Sequence, residues 1–143
     1  MAHRFAEEAT TPVESTQGTI IAMLKKRGAT GHMMGEDGAG KGFLCFLYKG
    51  LPVRLEVKPP DPARFKTEEQ VARERRRMWR VMLLWVKAQL EAIDNDLMSP
   101  MRAFMPHLQL KDGRTVAETA EQDGGVPVGR TLMALPAPKD QAQ

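Results

Sequence analysis

Residues 67–95, TEEQVARERRRMWRVMLLWVKAQLEAIDN, carry the decision about the fold. Plotted at about 100° per residue, Trp79, Leu83, Val86, Leu90 and Ile93 fall along one line, and Met78, Met82 and Trp85 fall along a second. With Val81 and Ala88 they make an apolar arc wider than half the helix. Thr67 has a hydroxyl able to cap the first turn, and Glu68 and Glu69 suit its positive end, so the spacing predicts one long helix ending near Asn95. An arc that wide needs more cover than one small sheet supplies. Other helices of the chain or a neighbouring subunit must bury the remainder, and Met78, Met82 and Trp85 are the expected oligomer contact.

The polar part of this helix is ordered as well. The window 64–87 holds eight cations against Glu68, Glu69 and Glu74, a net charge of +5 in a chain whose total is +3. Arg73, Arg76, Arg77, Arg80 and Lys87 lie within an arc of roughly 100°, and Arg75 points elsewhere. These cations sit towards the positive end of the helix dipole, while Glu91, Asp94 and Asp96 gather at the negative end. Each such placement costs a few tenths to about 1 kcal/mol, so something other than local helix stability selects it. A polyanion would account for the stripe, and so would contact between the basic end of one subunit and the acidic end of another.

Upstream, residues 15–27 show helical spacing of Ile20, Met23 and Leu24, closed by Lys25, Lys26, Arg27 and Gly28. A weaker strand at 31–34, the run Phe43 to Tyr48, a turn at Lys49-Gly50 and the alternation of Val53, Leu55 and Val57 with Arg54, Glu56 and Lys58 predict a three-stranded antiparallel meander. The prolines at 59, 60 and 62 make a stiff connector. Downstream, Ser99-Pro100 opens a short helix to about Met105, and residues 108–116 read as a small terminal hairpin. The expected fold is therefore α+β: a tail at 1–14, one domain at 15–118 and a second tail at 119–143. A chain of 143 residues, 42% hydrophobic and 27% charged, suits that single domain.

Several kinds of chemistry find little support. Cys45 is the only cysteine, so no intrachain disulfide forms, and it lies in an apolar run where a thiol is usually inert. His3, His32 and His107 are scattered, and no metal site, cofactor or catalytic residue is expected. No signal peptide or membrane span is read from the sequence, and a cytoplasmic protein is the expectation. Residues 35–41, GEDGAGK, match the start of a phosphate-binding loop. Gly42 then stands where a magnesium-binding Ser or Thr is required, a strand-like run follows in place of a helix, and two acids sit inside the loop. The better reading is a glycine-rich hairpin loop whose Lys41 is available to a nucleic-acid backbone.

The stretch ERRRMWRVMLLWVKAQLE, residues 74–91, resembles the central block of a family of small bacteriophage and prophage proteins with the pattern R-x-R-W-R-x-L-x-L-x-x-K-A-x-L-E. The likeness extends through Val53-Arg54-Leu55-Glu56-Val57 and through Leu110 to Val116, and so spans about residues 15–118. It departs at Trp85, where an aliphatic residue is usual, and at 99–105, which is less acidic than in the family. The order of elements is also similar to the core of phage single-strand annealing proteins of the Rad52-like type, which assemble into rings or filaments. The first resemblance implies a phage setting with little defined biochemistry and the second an assembling annealing protein; with the cationic stripe and the lack of catalytic motifs, the expectation is a non-enzymatic, oligomeric DNA-binding protein, in the annealing reading one that acts in phage recombination. On that reading Arg73, Arg76, Arg77, Arg80 and Lys87 neutralise phosphates of single-stranded DNA, Arg54, Lys58 and Lys41 extend the surface, and Tyr48 and Phe65 stack on bases. The alternative is a phage protein-interaction module, an inhibitor of a host complex or a structural subunit, whose arginines meet acidic protein surfaces.

Overall fold

Alternation of small or apolar inward residues with polar or exposed ones sets the sheet. The computed structural model describes residues 11–122 and has strands β1 (Thr30–Glu36), β2 (Gly42–Tyr48) and β3 (Leu51–Val57), antiparallel in the order β1-β2-β3. Gly42, Leu44, Phe46 and Tyr48 of β2 and Val53, Leu55 and Val57 of β3 are buried on one face, as a period of two requires. The two-residue turn between β2 and β3 has positive φ at both Lys49 (49°) and Gly50 (79°), the twist that suits a tight hairpin. Tyr48 pairs with Leu51 directly across it.

Helices cover the inner face. α1 (Val13–Lys26) and α2 (Glu68–Asp94) pack along each other and against the sheet. Both helices run in the same sense: Thr19 lies near Arg80 at one end, and Arg27 reaches Asp94 at the other. Thr67 caps α2 as expected. Its hydroxyl accepts from the Gln70 N–H at 3.1 Å, and the Gln70 side chain accepts from the Thr67 N–H at 3.3 Å. Trp79, Val86 and Leu90 are fully buried beneath the sheet, and Leu83 and Ile93 are nearly so, which fulfils the first apolar line.

The second apolar line is covered from within the chain. α3 (Pro100–Phe104) begins with the Ser99 hydroxyl accepting from the Arg102 N–H at 3.2 Å, then tightens into a 3-10 turn at Met105–His107. Phe104 is fully buried, with edge-to-face contacts to Phe46, Tyr48 and Trp85 at 5.6, 6.0 and 6.0 Å. Met78, Met82 and Trp85 pack against this core, so the width of the apolar arc does not by itself require a second subunit.

Both ends of the domain differ from the sequence reading. α1 starts at Val13, which is buried, two residues inside the expected tail. The expected terminal hairpin shrinks to a single bridge between Gln109 and Thr115 and gives way to a fourth helix, α4 (Val116–Gln122), in part of the expected second tail. Thr115 is the reason. Its hydroxyl accepts from the Glu118 N–H at 3.1 Å, and the Glu118 carboxylate accepts from the Thr115 N–H at 3.3 Å, a capping box that starts a helix where a strand was expected. The Gln109 N–H donates to the Pro52 carbonyl at 2.8 Å, so the chain before α4 closes one end of the β3 edge. The rest of both expected tails lies outside the described residues.

Candidate nucleic-acid interface

The expected cationic stripe divides once the ion pairs are in place. Arg73 meets Glu69 at 3.2 Å one helical turn away. Arg77 folds back on Glu74, with contacts of 2.7 to 3.2 Å, and keeps only 14% of its side chain exposed. Arg75, which points away from the stripe, pairs with Glu36 of β1. On the sheet, Arg54 contacts Glu56, the Glu118 carboxylate at 3.4 Å and the Gly113 carbonyl at 3.2 Å, while Lys41 lies 3.6 Å from Glu56. Lys58 is exposed just past β3, and Arg76 is half-buried on α2. Arg73, Arg77, Arg54 and Lys41, half of the nominated cations, thus already face a carboxylate of their own chain.

Arg80 and Lys87 are different. They face a groove of about 520 Å³ between α1 and α2, together with Lys26 and Arg27 of α1. Among the described residues Lys26, Arg80 and Lys87 make no ion pair, whereas Arg27 is held by Asp94 at 2.9 Å and Glu91 at 3.5 Å. Its apolar lining is Met23, Leu83 and Leu84, beside Thr19. Leu84 is 46% exposed there, an unusual position for a leucine on an otherwise well-packed helix. The α1 cations were read from sequence only as dipole-matching residues of a last turn. The parallel packing of α1 on α2 brings them beside Arg80 and Lys87.

The same pairing accounts for the acidic end of α2. Arg27 engages Glu91 and Asp94 within the chain, so two of the three acids expected to meet a neighbour's basic end are already matched.

Neither nominated stacking residue offers an open ring. Tyr48 sits at the hairpin end but turns inward, 2% exposed, with Phe104 against it; the expectation that it stacks on a base is corrected, because ring burial in the core outweighs its place beside a turn. The ring of Phe65 is half-buried and carries the Arg64 guanidinium 5.5 Å from its centroid, so one face is taken. Met78, Met82 and Trp85, the nominated oligomer residues, frame an apolar cavity of about 240 Å³ against Leu55 and Val57, with His107 edge-on to Trp85 at 5.0 Å. Burial holds His107 below the usual imidazole range. Cys45 lies half-buried on the outer sheet face, where burial raises its thiol, opposed by Arg54 and assisted by Glu56.

The loop between β1 and β2 turns its amides inward. One carboxylate oxygen of Asp37 accepts from the N–H groups of Ala39 and Lys41, each at 2.9 Å, and its carbonyl accepts from Gly40 at 3.0 Å. Donors that a phosphate loop would direct at its ligand are thus consumed by the acid within the loop. Gly42 also has a packing reason to lack a side chain: a Cβ there would stand 2.8 Å from Trp79 Cζ2 and 3.1 Å from Val57 Cβ.

Among the described residues no helix is long and apolar enough to cross a membrane. Compared with protein-family models, curated proteins and solved structures, the chain finds no match.

Proposed function

We propose that the protein is a DNA-binding protein that seats the phosphates of a single strand in the groove between α1 and α2. The observation that carries this reading is the convergence of Lys26, Arg80 and Lys87 on one groove with no carboxylate to meet them among the described residues. Like charges held together repel, and a polyanion entering the groove replaces that repulsion with attraction while releasing its own counterions. Arg73, on the same side of α2, contributes where a phosphate displaces its Glu69 partner. The likeness of residues 74–91 to phage proteins adds the role: a strand held extended for annealing during phage recombination, by several copies of the chain acting together.

Binding of a labelled single-stranded oligonucleotide across a salt series tests the proposal. Log affinity should fall linearly with log salt, and Arg80→Ala and Lys87→Ala should each flatten the slope by about 0.7. No binding, or binding indifferent to salt, would sink it. A second reading, a protein-interaction module, draws on a different surface. Met33 and Leu47 are exposed on the sheet face turned away from the helices, an apolar area suited to another protein or to a second copy of this chain.

A further inference from the structure

We infer that the α1–α2 groove binds bases as well as phosphates, the base faces resting on the apolar floor of Leu84, Met23 and Leu83 while Lys26, Arg80 and Lys87 hold the backbone. This inference rests on the nucleic-acid reading and specifies what the groove recognises. A track for phosphate alone gains nothing from an apolar floor, because phosphate oxygens are satisfied by cations, N–H groups and water. Here the groove lining offers apolar surface beside the cations: Leu84 is exposed, Met23 is half-buried, and Leu83 is buried between them and the core. Cations at the rim and alkyl groups between them match an anionic ligand that carries flat apolar faces close to its charges. An unpaired nucleotide has that form. A duplex does not, because its base faces are stacked out of reach inside a rod too broad to enter between two packed helices. Of the rings first nominated for base contact, Tyr48 is turned into the core and Phe65 has one face taken by Arg64, whereas the aliphatic lining lies beside Lys26, Arg80 and Lys87.

The affinity of the full chain for a thymidine oligonucleotide, for the same oligonucleotide lacking its bases, and for inorganic polyphosphate of matched charge separates the two contributions. We expect parallel salt slopes, with the base-bearing strand about tenfold tighter at every salt concentration. Leu84→Asn should remove that advantage and leave the slope unchanged, and Leu84→Met should restore it. Leu84 is exposed, so both variants should keep the wild-type melting temperature, which circular dichroism checks. Equal affinity for all three ligands, or an unaltered advantage in Leu84→Asn, overturns the base contact while the salt slope still upholds phosphate binding. Loss of the slope itself overturns the phosphate reading and this inference with it. Vesicles rich in anionic phospholipid that displace the oligonucleotide at equal phosphate concentration would also overturn it, by identifying the floor as a seat for acyl chains.

Discussion

Gly42 shows how one atom excludes a function and fixes a packing arrangement. The Ser or Thr that a nucleotide loop needs at this position would place its Cβ 2.8 Å from the Trp79 ring, and that ring is fully buried. The Trp79 indole N–H finds no acceptor among the described residues, so the ring is kept for its volume at some polar cost. Gly42→Ser should therefore lower stability by about 1–3 kcal/mol, seen as a lower urea midpoint, and confer no affinity for ATP. A midpoint equal to wild type would mean that Trp79 moves aside freely. His107 is a second informative residue. Its folded form titrates below the ordinary value of about 6.5, so the unfolded chain takes up a proton that the folded chain resists. The stability this confers is complete above about pH 6.5 and is lost as the pH falls towards the folded value. Melting temperatures measured from pH 7 to pH 5 should fall less steeply in His107→Gln than in wild type.

Elements follow the same logic one level up. α2 presents three functionally different strips: one line against the sheet, one against α3 and its 3-10 turn, and one bordering the groove with α1. The second strip distinguishes packing from assembly. Trp85 meets both Phe104 and His107, so Trp85→Ala should cost about 2–4 kcal/mol in denaturant unfolding even at dilutions where no oligomer survives. A change only in self-association, with unfolding unaltered, would return Trp85 to a subunit interface. At its end, α2 and α1 share the pairing of Arg27 with Glu91 and Asp94, which neutralises acids that oppose the helix dipole.

For the whole molecule, charge is partitioned rather than abundant. Among the described residues carboxylates meet Arg27, Arg54, Arg73, Arg75, Arg77 and Arg114, and Lys26, Arg80 and Lys87 stand together without an ion pair at one groove. Counting charges along α2 overestimates the cationic surface, because ion pairs within the helix and across to β1 remove several of them. The groove lies on the face away from Met33 and Leu47. The two exposed surfaces are thus chemically distinct, one cationic with an apolar floor and one apolar on the outer sheet.

Sequence alone determined the order of elements from α1 to α3, because periods of 3.6 and 2, the Thr67 and Ser99 caps and the Lys49-Gly50 turn are local signals that tertiary packing did not override. It also showed which line of α2 enters the core, since Trp79, Leu83, Val86, Leu90 and Ile93 share one side at any helical geometry. The α4 start was not read, although Thr115 followed three residues later by Glu118 has the spacing of a capping box. Tertiary structure alone decided which cations remain unpaired, which rings face solvent, and that α1 lies parallel to α2. Those properties depend on contacts between residues as far apart as Arg27 and Asp94, and a one-dimensional pattern carries no record of which distant side chains meet.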